Sequence, residues 1–433
     1  MQRKWLFAIP LILILILVCV AMVAVSVFSF STARVSGINL LNGRNMEFAV
    51  DETEERSFPV DGPAQLRVDD FFGNIQVKRG TGDVIVVETR KEARGFSEQD
   101  ARANLEKITV DQTQNGNELD IRVVLRKSEL NWAGKVDFVI EVPEKTQVTL
   151  HTDHGDIHLD GTDGAVDLST DFGIVEVRDV KGGPLTVGTE NGRIEVTGAQ
   201  SGSSDVNVTS QFGEVVLSNV AGEAVTVESR NGALTLTNIT SDGPASLTSD
   251  FGDIKLDGGR ADSLEVKTQN GQVSLIEVDI SGRLLASSDF GSVRVTKCEA
   301  GEVDLESLNG GLYINGAKGK IRAHTNFGDV EIKNASEALL DLKTQNGSVD
   351  FGGSLGSGPH SISSDFGDIL LRLPEDQALD IDLKTDFGDI ETEFEVSLSG
   401  NMDDEHWKGK INGGGGLLTV TTGNGGITLE IAP

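Results

Sequence analysis

Cysteine is almost missing: Cys19 and Cys298 are the only two in 433 residues, which excludes a disulfide framework and a cysteine-based metal site. Basic residues are scarce beside acidic ones, 37 Lys and Arg against 68 Asp and Glu, for a formal net charge of −31. Nucleic-acid binding needs clustered Lys and Arg against phosphate, so no nucleic-acid partner is expected. Proline is rare, at 9 residues, and the 51 glycines follow no Gly-X-Y period, so collagen is excluded. An apolar content of 38% is too high for a disordered tail. Helical periodicity is missing from most of the chain, which removes βαβ folds.

One long apolar run is present. Trp5 to Phe30 spans 26 residues without a charge, interrupted by Pro10 and a few Ser. At ~1.5 Å per residue, a helix of that length covers a ~30 Å hydrocarbon core. Arg3 and Lys4 precede it and hold that end in the cytoplasm, so everything after Arg34 is expected outside. Ser31-Thr32-Ala33 resembles a signal-peptidase site, but the run is longer than the ~7–15 residues of a cleaved signal, which favours an anchor. Val18 before Cys19 does not suit lipoprotein processing. Residues 1–33 are therefore read as cytoplasmic start and transmembrane anchor, and 34–57 as a juxtamembrane linker. The protein is expected in the cell membrane, single-pass, with the bulk of the chain extracytoplasmic.

Beyond the linker the chain repeats. Phe-Gly or Asn-Gly recurs from Gly173 to Gly388, with His154-Gly155 in the same slot. Thirteen such glycines between Gly155 and Gly388 give a mean spacing of about 19.4 residues. Phe172, Phe212, Phe251, Phe290, Phe327 and Phe366 alternate with Asn191, Asn231, Asn270, Asn309 and Asn346, and the alternation breaks at Phe387, the second Phe unit in succession. Outlying units at Gly73 and Gly425 bracket the array.

Within a unit the pattern has period two, the mark of a strand. Leu247, Ser249, Phe251, Ile254 and Leu256 share one face, with Thr248, Asp250, Asp253 and Lys255 on the other. The phase slips at the glycine, which predicts a bend there, with Gly free to take positive φ. Two architectures fit: a propeller with a ~39-residue blade, or a solenoid of stacked rungs. Phe in phase with the apolar face predicts a ring pointing into a core, and on that ground a parallel β-solenoid is expected. A 19-residue rung would give a mixed Phe/Asn column; a 39-residue rung would give pure ones. The shorter is preferred.

The expected class is thus all-β: a single-span N-terminal membrane helix followed by a parallel β-solenoid of about 19–20-residue repeats, with one short helix in the N-terminal cap. Residues 58–150 form that cap, with a helix over Ser97–Lys107 started by Ser97. Residues 151–394 carry the regular repeats. Residues 395–433 form the C-terminal cap, an acidic, Gly-rich insertion containing Trp407 and then strands at Leu417–Thr422 and Gly426–Ile431.

The helix-bearing lead-in, the Asn-Gly-x-[Ile/Val] units and the closing Gly-Gly-Gly-Gly-Leu-Leu-Thr-Val-Thr-Thr-Gly-Asn-Gly-Gly-Ile resemble the bacterial putative-adhesin family, DUF4097, which includes LiaG-like envelope proteins. The resemblance covers roughly residues 58–433. It implies a β-solenoid on the outer face of a bacterial membrane and supplies no catalytic residue.

No chemistry emerges from the motifs. Asp-Phe-Gly at Asp171, Asp250, Asp289, Asp365 and Asp386 lacks the other parts of a kinase site. Asp250 and Asp253, Asp365 and Asp368, and Asp386 and Asp389 flank bends and are expected outward; the Ca²⁺ nonapeptide is missing, so hydrated carboxylates are expected. His151 and His158 are placed outward and His154 in the Phe/Asn slot, short of the three convergent ligands zinc needs. The short, even spacing leaves no loops to wall a polysaccharide-cleaving cleft. No catalytic, cofactor-binding or metal-ligating residue is assigned, and no cofactor is expected. The function read from the sequence is a non-enzymatic, membrane-anchored binding, adhesion or scaffolding module, whose partner is an envelope protein or cell-surface glycan. The alternatives are a structural or sensory partner of an envelope-stress membrane protein, and a polysaccharide-active β-helix enzyme.

Overall fold

The computed structural model describes residues 46–124, 134–399 and 405–432. The apolar run from Trp5 to Phe30, with Cys19, lies outside them. Among the described residues no helix is long and apolar enough to cross a membrane. Two compact units are present. In the smaller, Ser97 caps the helix Glu98–Leu105, its Oγ accepting the Asp100 N–H at 3.1 Å, as the Ser-x-x-Asp spacing predicts.

The larger unit is a parallel β-solenoid. Val166, Leu168 and Thr170 of the strand Val166–Phe172 pair in register with Leu185, Val187 and Thr189 of the next rung, and these with Val206, Val208 and Ser210 of the one after. One rung is therefore a single repeat, and Phe172 pairs with Asn191 and Asn191 with Phe212 in one mixed column. A second, shorter strand completes each rung past the glycine; Val175 and Val177 pair with Ile194 and Val196. Val, Leu and Ile fill the inward positions and are almost wholly buried. Each contributes ~1.5–3 kcal/mol on burial, shared with the rungs on either side.

After the second strand the chain turns again, and there the backbone is left-handed. Asp179, Gly198, Asn219, Asn238, Gly258, Glu277, Lys297, Gly316 and Asn334 follow strand residues that pair rung to rung, and each has φ between 51 and 80°. Gly, Asn and Asp dominate because they enter this region at least cost.

The corner glycines obey a different rule. Most are not left-handed, contrary to the positive φ expected from sequence. What excludes a side chain is the neighbouring rung: a Cβ on Gly192 would lie 1.7 Å from the carbonyl oxygen of Gly173, and one on Gly252 2.2 Å from that of Gly232. Fifteen corner glycines among the described residues stack in this way, each Cβ position blocked by a backbone carbonyl at 1.7 to 2.4 Å.

That stack also reveals an order different from the chain's. Gly425 sits against Gly367, and Gly388 against Gly425. The closing strands Gly416–Asn424 and Ile427–Ile431 are threaded between the Phe366 rung and the Phe387 rung, pairing in parallel with both. Asn424 pairs with Phe366 on one side and with Phe387 on the other. The break in alternation seen in the sequence is thus mended in space. At the other end, Phe72 pairs with His154 and His154 with Phe172, so the outlying Phe-Gly unit joins the same column.

Candidate functional site

The bend takes four residues. In Asp171-Phe172-Gly173-Ile174 the inward series runs Val166, Leu168, Thr170 and resumes at Val175, so none of the four is buried. The expectation that the corner Phe fills the core is therefore overturned. Phe172 is 49% exposed, Phe251 54% and Phe387 74%. Turning the chain at Asp171 rotates the Cβ of Phe172 outward, and counting alternation through the bend misplaces it. The solenoid rests on parallel pairing instead of buried rings.

The inward corner position belongs to the hydroxyl two residues earlier. Thr170, Ser249, Thr268, Ser288, Ser307, Thr344 and Ser364 are buried, and each donates to the corner-glycine carbonyl of the preceding rung at 2.8 to 3.1 Å. These bonds satisfy carbonyls that the bend removes from the strand ladder. At the first rung Asp70 replaces the hydroxyl, paired with Thr152. Its Oδ1 accepts the N–H groups of Phe71 and Phe72 at 2.7 and 3.3 Å, while Oδ2 is buried with no hydrogen-bond partner. Burial, reinforced by Asp137 and Asp69 and partly opposed by the two amides, pushes the Asp70 carboxyl up to about 7.

Outside this column runs an aromatic edge. Phe172, Phe212, Phe251, Phe290, Phe327, Phe366 and Phe387 lie on one line, half-exposed or more, with Asn or His at each intervening rung. His154 stacks on Phe172 with ring centroids 4.9 Å apart. Carboxylates border the line. From the His154 rung to the Phe387 rung, the row before the Phe/Asn/His column holds seven acids and one base, and the row after the glycines six acids and one base. Beside the edge, a shallow groove of about 470 Å³ crosses five rungs, with Ser169, Gly188, Thr209, Glu228 and Thr248 along its floor.

The acidic pairs are partly structural. Asp253 accepts the backbone N–H of Gln272 at 2.7 Å, Asp329 that of Ser348 at 2.8 Å, and Asp368 that of Gly426 at 2.8 Å. Each staples one rung to the next. The histidines diverge: His151 contacts Ser169 and Asp153, and His158 contacts Glu176. Among the described residues no cluster of three or more His, Cys, Asp or Glu could hold a metal ion. Cys298 is buried, and burial pushes its thiol up.

The family described as Toastrack DUF4097 matches residues 72–259 and 257–430. The chain belongs to the DUF4097 family. Its two matches divide the stack within the Phe251 unit and take in nearly all of the Phe–Asn edge. No curated protein matches at a significant level. Among solved structures, a putative adhesin from Bacteroides fragilis is 16% identical, covering 65% of this chain and 97% of that one, with a TM-score of 0.29. A putative adhesin from Parabacteroides distasonis is 10% identical, covering 70% and 97%, with a TM-score of 0.27. A putative cell adhesion protein from Clostridium sporogenes is 9% identical, covering 88% and 99%, with a TM-score of 0.17.

Proposed function

We propose that this DUF4097 protein is a non-enzymatic binding module of the cell envelope, tethered by its N-terminal apolar run, with the solenoid extracytoplasmic and the Phe–Asn edge as its adhesive surface. The partner is an envelope protein or cell-surface glycan. The observation that carries this reading is the exposure of seven Phe side chains in one line. Single exposed apolar residues are ordinary, but seven aromatic rings repeated at one corner along the stack mark an interaction surface. Packing does not demand the spacing either: rings at every rung would stack at ~4.8 Å, inside the favourable range for aromatic pairs.

The test is retention on envelope fractions. The full-length protein and a variant with Phe251, Phe290 and Phe327 all changed to Asn, the residue native to the same corner in alternate rungs, are bound to cell-wall and membrane-protein fractions. At least tenfold weaker retention of the variant is expected, with an unchanged melting profile. Equal retention would remove the edge from the binding surface.

A further inference from the structure

Resting on the reading of the edge as a binding surface, we infer that its occupant is an extended, basic, proline-rich peptide segment in the polyproline II conformation. The argument begins with period. Rungs stack at ~4.8 Å, so alternate rungs place Phe rings ~9.6 Å apart. A polyproline II helix repeats every three residues at ~3.1 Å each, or ~9.3 Å, and so presents one side chain per Phe with a drift of ~0.3 Å. An α-helix repeats its face over two turns at ~10.8 Å, a drift of ~1.2 Å per Phe. A β-strand brings the same face back every ~6.6–6.8 Å and matches no multiple nearby. Over the six intervals from Phe172 to Phe387 the polyproline mismatch accumulates to ~2 Å and the α-helical one to ~7 Å.

Chemistry agrees with the period. Polyproline II makes no internal hydrogen bonds, so its carbonyls need outside donors. The Asn side chains lie midway between successive rings, where an amide can donate to such a carbonyl. Proline rings dock on exposed aromatic faces, the mode by which aromatic-lined grooves read Pro-rich segments. The two acidic rows on either side supply partners for Lys or Arg at the positions facing away from the rings, and disfavour an acidic segment.

The experiment titrates full-length protein with synthetic (Pro-Pro-Lys)₆, with (Gly-Ser-Lys)₆ of equal charge, with (Pro-Pro-Glu)₆, and with a β-1,4-linked N-acetylglucosamine hexamer. Tight binding of the first is expected, with at least tenfold weaker binding of the second and third. The Phe251→Asn, Phe290→Asn, Phe327→Asn variant should lose at least tenfold for (Pro-Pro-Lys)₆. Equal affinity for both lysine peptides would reduce the interaction to charge and overturn the inference. Phe-dependent binding of the hexamer without the peptide would overturn it while leaving the edge as a binding surface. No dependence on the three Phe for any probe would overturn both.

Discussion

The hydroxyl of Thr422 donates to the carbonyl of Gly367 at 3.0 Å, across 55 positions of sequence. Thr385 donates in turn to Gly425 at 2.9 Å. The closing segment is thus held, on both of its sides, by the same bond that joins Thr170, Ser249, Thr268, Ser288, Ser307, Thr344 and Ser364 to the rung before each.

Removing residues 400–433 should therefore open the end of the stack. The Phe387 rung would lose the pairing to Asn424 and the hydroxyl bond to Gly425 together. Hydrogen exchange should show protection lost over 379–392 and kept over 166–340. Protection retained at 379–392 in the truncated chain would mean that the Phe387 rung docks directly on the Phe366 rung.

Corner substitutions should separate the exposed ring from the buried hydroxyl. Phe251→Ala should cost less than ~1 kcal/mol, because half of the ring is already in water. Ser249→Ala should cost more, ~1–3 kcal/mol, because the Gly232 carbonyl then loses its donor in a buried site. Chemical denaturation of the two variants measures the order; a costlier Phe251→Ala would return the ring to the core.

Gly252→Ala should be worse than either. Its Cβ would meet the Gly232 backbone carbonyl at 2.2 Å, where no flexible side chain can yield. A loss of ~3 kcal/mol or more is expected, since two rungs must part. Gly202→Ala, with nothing near its Cβ position and positive φ, is the contrasting control for backbone strain alone.

Asp70 predicts a pH dependence. Its folded pKa of about 7 lies above the ordinary carboxylate value of 3.8, so the native state binds the proton more tightly than the unfolded chain. Its contribution is full below pH ~4 and is lost as pH rises toward 7. At ~1.36 kcal/mol per pKa unit the swing is ~4 kcal/mol at most. Asp70→Thr installs the residue found at that position in other rungs. The difference in melting temperature between wild type and Asp70→Thr should move in favour of the variant between pH 4.5 and 7.5. A difference that does not change with pH would mean that Asp70 does not titrate there.

Much of this fold was legible in the sequence. The period, the inward Leu247, Ser249, Ile254 and Leu256, the short rung and the Ser97 cap are local patterns, and local patterns survive folding. The direction of Phe251 was not, because hydrophobicity argues for burial while the four-residue bend rotates the Cβ away from the core. The order of the last rungs was hidden for a different reason. Asn424-Gly425 carries the same motif as every other unit, and nothing local says which neighbours it selects. One signal was present: two consecutive Phe units, ending at Phe366 and Phe387, and a leftover Asn unit at the end of the chain. Asp70 could have been found by aligning the repeats, where it alone puts a carboxyl in the Ser/Thr position.

The threaded last rung bears on how the protein is made. Chains grow from the N-terminus at ~5–20 residues per second, so the 37 residues between Phe387 and Asn424 take ~2–7 s to emerge. Throughout that interval the regular rungs from His154 to Phe366 can stack in order of synthesis, while the Phe387 rung lacks the parallel neighbour that carries Asn424. The Phe366 and Phe387 rungs are joined only once Ile427–Ile431 has emerged, so a nascent chain lacking that strand is distinguishable by the unfilled place between them.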